Sequence, residues 1–242
     1  MWIKWTKKLT AIKKLFAGYL LPVAIFFLHN TVDAQKLITV KGLPGLYYRT
    51  IEDLQKQQDS ILHFYNFTRY DTIASIGAQS CNWEAAYAAV SDSLFFYLED
   101  IDTTYCNFRQ AAMAWQYYGR LKGSPLTCGY AIVTGDEKIT GLPPRSCNKV
   151  LIINSFHEFT YPAEMLRDIT GKLKPGGILY IDEALAQYSG ELHPVCKKRL
   201  YLENELIEIL EANGFVYKNS CRLMYRKTKP ARELFAFTLK GQ

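Results

Sequence analysis

A chain of 242 residues, 49% hydrophobic and 14% aromatic, suits one domain with a small extension and carries ample apolar surface for a core. Its formal charge of +6 is unevenly placed: five of the 29 basic residues but one of the 23 acidic residues fall in the first 34 positions, leaving 24 against 22 beyond. A body so close to neutrality offers no basic face to neutralise phosphates and excludes nucleic acid as a partner.

The first 34 residues read as a targeting segment. Lys4, Lys7, Lys8, Lys13 and Lys14 make a basic start, Leu15 to Leu28 is apolar, and Val32-Asp33-Ala34 is a small-x-small site before Gln35. These are the three regions of a secretory signal peptide, with cleavage expected after Ala34. The apolar run falls short of the roughly 20 residues that span a bilayer as a helix. If it stayed uncleaved it would be the only membrane contact, and the body would still lie outside the cytoplasm. The expected location is therefore exported, periplasmic or secreted. Six cysteines follow: Cys81, Cys106, Cys128, Cys147, Cys196 and Cys221. An even count in an exported chain permits disulfides. No pair has CxxC spacing, which argues against a zinc site of that type.

Residues 35–69 form an expected helical extension, with the helix over Ile51 to Phe64. Residues 70–242 form the main domain. Tyr70 to Ile76 is an apolar strand ending at Gly77. Cys81 to Val90 is Ala-rich and helical, and Leu94 to Leu98 is a buried strand running into Glu99, Asp100 and Asp102. A helix follows over Tyr105 to Leu121. Tyr130 to Thr134 is a strand closed by Gly135-Asp136-Glu137. Val150 to Ile153 is the next strand, and Met165, Leu166, Ile169 and Leu173 then fall on one helical face. Lys174-Pro175-Gly176-Gly177 ends that helix as a tight turn, because Pro cannot continue it and Gly accepts the turn. Ile178 to Ile181 is the strand after it, stopping at Asp182-Glu183. Tyr201 to Ala212 is an amphipathic helix with Leu202, Leu206, Ile209 and Leu210 inward. Phe215 to Tyr225 and Leu234 to Leu239 pair as a closing hairpin. The alternation of strands and helices predicts a Rossmann-like α/β fold, a seven-stranded mostly parallel sheet covered on both faces with a terminal antiparallel hairpin.

The Lys149 to Glu183 unit, with its polar loop and LKPGG element, resembles the second half of a class I S-adenosylmethionine (SAM) methyltransferase. The strand order from about Tyr70 to Lys240 is similar to that family's layout. The resemblance implies SAM as cofactor and methyl transfer to a small-molecule acceptor. It also implies where each part sits, since ligands in open α/β sheets bind beyond the carboxyl ends of the strands.

At the first strand end, Gly77, Ala78 and Gln79 would meet the methionine part of SAM. The family's glycine loop is altered here: Gln79 and Cys81 stand where further glycines would fall, and Ser75 stands where an acid usually precedes the loop. At the second strand end, Asp100 would accept from the ribose hydroxyls, with Glu99 the neighbouring candidate; the same acids could be a solvated loop. At the third, Asp136 resembles the residue that binds the adenine amino group, and could equally close a polar turn. At the fourth, Asn154-Ser155-Phe156-His157-Glu158 lies where the family places the sulfonium and the acceptor. There Asn154 would border the cofactor, His157 would act as a base and Glu158 would orient it. Alternatively, His157 binds backbone and Glu158 starts a helix. The spelling also resembles exported members of the family with a His-acidic pair in this loop and a His after the fifth strand, here His193. Asp182, Glu183, His193, His157 and Glu158 are scattered without a local ligand motif, so no metal site is expected.

No GxSxG elbow or Walker loop is present. A dinucleotide oxidoreductase would keep a richer glycine loop, and it leaves the LKPGG element unexplained. The altered loop also admits a second reading, in which the cleft binds another ligand or partner without catalysis. The shape of the chain from Gly77 to Cys81 separates the two.

Overall fold

A computed structural model describes Tyr48, residues 50–222 and residues 232–241. The expected signal segment, residues 1–34, lies outside the described residues. Helix α1 (Ile51–Tyr65) is followed by β1 (Thr72–Ile76), α2 (Asn82–Val90), β2 (Phe95–Glu99), α3 (Phe108–Lys122) and β3 (Gly129–Val133). Then come β4 (Cys147–Ile153), a 3-10 turn (Phe156–Glu158), α4 (Pro162–Lys172), β5 (Leu173–Ala184), α5 (Glu203–Ala212), β6 (Phe215–Arg222) and β7 (Arg232–Leu239).

The helices begin and end where capping chemistry allows. Thr50 accepts from the Asp53 N–H at the start of α1, and Asn107 accepts from the Gln110 N–H at the start of α3. Gly123, at φ +78°, closes α3 in the left-handed conformation.

The sheet order is β3-β2-β1-β4-β5-β7-β6. The first five strands are parallel, and β7 is antiparallel to both β5 and β6. Alternation along the strands feeds two cores. Ile73, Leu151, Ile153 and Tyr180 face one side, where Ile61 and Tyr65 of α1, Tyr87 of α2 and Ala111 of α3 pack on them. Ala74, Ile76, Val150, Ile152, Leu179 and Ile181 face the other, beneath Leu166 and Ile169 of α4 and Leu206 and Leu210 of α5. Each strand residue thus faces the core opposite to its neighbour's, as the two-residue strand period requires. Of the four residues expected inward on the last helix, Leu206 and Leu210 are fully buried, while Ile209 and Leu202 are partly covered.

The LKPGG element differs from the expected turn. The chain passes from α4 directly into β5, with Leu173 paired to Cys147 and Ile178 to Lys149, so the intervening residues form an irregularity inside the strand pair. Gly176 has φ +74°, and a Cβ on Gly177 would sit 2.9 Å from the Lys174 carbonyl oxygen. The two glycines answer different needs: Gly176 takes the positive φ, and Gly177 lets the chain fold back against Lys174 and against Asn148 of β4.

Two ion pairs tie neighbouring strands together. Lys149 of β4 reaches Asp71 just before β1, both nearly buried. Arg232 of β7 meets Asp182 of β5 at 2.8 Å. No described helix is long and apolar enough to cross a membrane.

Candidate functional site

Strand order reverses between β1 and β4, and at such a switch point the loops leave in opposite directions and open a cleft. Here the Ser155 hydroxyl, one residue past the end of the β4 loop turn, donates to the Ile76 carbonyl at 3.0 Å. A Cβ on Gly77 would fall 2.8 Å from the Ser155 Cβ, so the two strand-end loops touch because Gly77 has no side chain. The cleft above them has a volume of about 300 Å³.

The loop after β1 keeps a glycine-type backbone without the glycines. Gln79 and Cys81 both have positive φ, 45° and 58°. Such a conformation costs a side-chain-bearing residue about 1–2 kcal/mol, so the surroundings must hold it. They do: the Ala78 N–H donates to the Glu99 carbonyl at 2.9 Å, and the Gln79 N–H donates to Asp100 Oδ2 at 2.9 Å. The Cys81 side chain turns into the core, its sulfur 3.8 Å from that of Cys106. Gln79 is exposed and borders the cleft. The loop is therefore not filled by the residue that replaces its last glycine. All six cysteines are free thiols.

A carboxylate also sits beneath this loop. Ser75 stands where the family's acid was expected, and its hydroxyl donates to Glu84 of α2 at 2.5 Å. Burial pushes the Glu84 carboxyl up to about 7, against the lowering effect of the Ser75 hydrogen bond. Sequence reading passed over Glu84 because it lies nine residues downstream, in an apparently ordinary helix.

At the end of β2, the second Asp100 oxygen accepts from the Asp102 N–H at 2.8 Å. Each oxygen retains an acceptor site, so these bonds orient the carboxylate rather than exhaust it. Glu99 is buried at the same cleft wall. Its Oε1 has no hydrogen-bond partner among the described residues. Burial, and then the charge of Asp100, push its pKa up to about 8, while the Gly77 and Gly135 backbone favours the ionised form. Asp136, past β3, accepts from the Lys138 and Ile139 N–H groups at 2.7 and 2.9 Å, which holds its carboxyl below the usual range. It therefore closes a turn and also borders the cleft.

Gly77, Gln79, Asp100, Asp136 and Glu158 line the cleft together. Ala78, Asn154 and His157 do not. Ala78 is buried in the loop, and Asn154 is a left-handed turn residue at φ 54° whose N–H donates to Asp182. The His157 side chain is fully buried, with Nδ1 2.8 Å from Glu183 Oε1. Its Nε2 faces the Cys196 sulfur at 3.3 Å. The expected base thus points toward the β5 side, away from the cleft lining. Glu158 is 3.8 Å from the same Nε2 and does reach the cleft. His193 stands beside this group, its Nδ1 3.2 Å from the Cys196 sulfur, and desolvation holds its pKa below the ordinary imidazole value.

The cleft wall carries Glu99, Asp100, Asp102, Asp136, Glu137 and Glu158, with no Lys or Arg among the lining residues. Ile101, Tyr105, Phe159 and Met165 add apolar surface. Such a site favours a cation with an apolar or aromatic body and disfavours phosphates.

No protein-family model matches the sequence, and no curated protein matches it. Solved structures match it in fold. A SAM-dependent methyltransferase from Aquifex aeolicus is 15% identical with a TM-score of 0.57, covering 79% of this chain and 100% of its own. A 1,6-didemethyltoxoflavin-N1-methyltransferase from Burkholderia thailandensis, solved with its substrate and S-adenosylhomocysteine, is 15% identical with a TM-score of 0.57, covering 93% of this chain and 90% of its own. The [4+2]-cyclase SpnF is 14% identical with a TM-score of 0.56, covering 78% of this chain and 82% of its own. The fold is that of class I methyltransferases.

Proposed function

We propose that the protein binds SAM in this cleft and transfers its methyl group to a small-molecule acceptor. The observation that carries the reading is the charge of the wall: five carboxylates besides the protonated Glu99, and no cationic side chain, line a cleft at the switch point of the sheet. SAM bears a sulfonium and an ammonium against one carboxylate, so this field attracts it. A dinucleotide pyrophosphate would be repelled.

The residues fit the cofactor. Asp100, oriented by two backbone N–H groups, presents its remaining acceptor sites to a ribose diol, and the unpartnered Glu99 Oε1 stands beside it. Ile101 and Tyr105 offer apolar faces for a base, and Asp136 a carboxylate at the far edge. Gly77 leaves the β1 loop open to close backbone approach. When bound, SAM supplies an electrophilic methyl group, and the protein's task is to hold the acceptor in line with it. Glu158 is the cleft-lining carboxylate at the fourth strand end, placed to orient the acceptor's hydroxyl or amine and hold its proton.

Methyl transfer from labelled SAM to a panel of hydroxyl, amine and thiol compounds tests this reading. Turnover of one acceptor class is expected, and Glu158→Gln should lower it about 100-fold or more with SAM affinity preserved. SAM binding with no turnover across the panel would favour the non-catalytic reading. We also propose export, supported by the basic start, short apolar run and small-x-small site of residues 1–34. Intact mass of protein isolated from its native envelope should show a chain beginning at Gln35.

A further inference from the structure

We propose that His157, His193 and Cys196 form a binding site for a single divalent transition metal, zinc foremost, beside the cleft. The three ligand atoms lie within 4.8 Å of one another, although 39 residues separate the first from the last. The Cys196 sulfur is 3.3 Å from His157 Nε2 and 3.2 Å from His193 Nδ1. Tetrahedral zinc, with metal–nitrogen bonds near 2.0 Å and a metal–sulfur bond near 2.3 Å, sets ligand atoms about 3.4–3.6 Å apart. The two sulfur–nitrogen spacings are within a few tenths of an ångström of that, and the two nitrogens lie within 4.8 Å of each other.

The hydrogen bonds among these groups show which ring atoms face the sulfur. With Glu183 Oε1 accepting from His157 Nδ1–H at 2.8 Å, a neutral ring presents Nε2 as a lone pair toward the sulfur. The Cys196 N–H donates to His193 Nδ1 at 3.4 Å, a long bond that a metal at that nitrogen would replace. His157 Nε2 and His193 Nδ1 thus both face the Cys196 sulfur. A cation bound by the thiolate and both imidazoles satisfies all three. The Glu183–His157 bond is the carboxylate–histidine pairing that fixes the tautomer and orientation of a metal-bound imidazole.

Local structure supports the site. His193-Pro194-Val195-Cys196 places its ligands three residues apart, the spacing of a CxxC pair with one sulfur replaced by imidazole. The segment sits at the tip of a short hairpin, between a bridge joining Leu192 and Arg199 and hydrogen bonds from the His193 N–H to the Lys198 carbonyl and from the Lys197 N–H to the His193 carbonyl. The third ligand comes from the turn after β4, and its carboxylate partner from the end of β5. Two nitrogens and a thiolate suit zinc better than magnesium or calcium, which take oxygen ligands. Glu158, 3.8 Å from His157 Nε2, lies between this set and the cleft. The proposal stands independently of SAM binding.

The test is metal analysis of the full chain, as isolated and after loading with Zn(II) or Co(II). About one metal per chain is expected, and Co(II) should give a thiolate charge-transfer band in the near ultraviolet. Cys196→Ala should abolish the band, His193→Ala should weaken binding about 100-fold or more, and Cys221→Ala should leave both unchanged. Glu183→Gln should lower affinity about 10- to 100-fold. A measurement without substitutions guards against misfolded variants: zinc should block alkylation of Cys196 by iodoacetamide, mapped by mass spectrometry, and a chelator should restore it. Failure to take up metal at micromolar concentration, or a cobalt band that survives Cys196→Ala, overturns the site. Cys196 alkylated rapidly at neutral pH whether or not zinc is present also overturns it, and assigns Cys196, His157 and Glu183 to a thiolate nucleophile instead.

Discussion

Asp100 accepts one backbone N–H on each carboxylate oxygen, which holds the loops around it, and it lines the cleft with acceptor lone pairs to spare. If those lone pairs bind the ribose diol, Asp100→Ala should weaken SAM about 10- to 100-fold by calorimetry, the scale of about 1.5–3 kcal/mol for hydrogen bonds to a charged group. Unchanged affinity in a folded variant would transfer the role to Glu99. Glu99 makes a separate prediction about stability. Its folded pKa is near 8, above the ordinary 4.5, so the folded chain keeps a proton that the unfolded chain has released. That contribution is full below about pH 4.5 and is lost as pH rises through about 8. Glu84, raised to about 7, adds to the same trend. Urea midpoints should therefore fall from about pH 5 to about pH 8, and Glu99→Gln should flatten the fall. An equal slope in the variant would contradict this account of Glu99.

At the scale of elements, the strands around the switch point are fastened by a buried charge pair. Lys149 and Asp71 join β4 to the entry of β1, and the Thr68 N–H adds a bond to the same carboxylate at 2.8 Å. Lys149→Met strands that carboxylate and should cost about 3–5 kcal/mol in urea unfolding, while the double change with Asp71→Asn should recover much of it. A loss under about 1 kcal/mol would show that water reaches Asp71. The elements themselves were legible in the sequence, because apolar runs and helical stripes report burial directly: Ile51, Asn82 and Val90 bound helices close to where periodicity and capping put them. The LKPGG bulge was not, since a strand that absorbs extra residues against its neighbour spells the same as a turn. The cleft acids could be read because they follow strand ends. The fate of His157 could not, because its direction is set by Glu183 and Cys196, 26 and 39 residues away. The His193-x-x-Cys196 spacing was the available signal, missed by counting cysteines alone.

For the whole molecule, fold and chemistry are separate questions. Fourteen to fifteen per cent identity to methyltransferases and to a cyclase shows a shared architecture, and one architecture hosts many reactions. The acidic cleft predicts that association with a cationic ligand weakens as salt rises and screens the field. A chain that binds SAM should unfold later in its presence, by about 2.7 kcal/mol at a hundredfold excess over the dissociation constant. The most direct test of the central claim is a calorimetric titration of the protein with SAM at low and high salt. The account predicts saturable one-to-one binding that weakens with salt. Absence of binding up to millimolar SAM at low salt would contradict it.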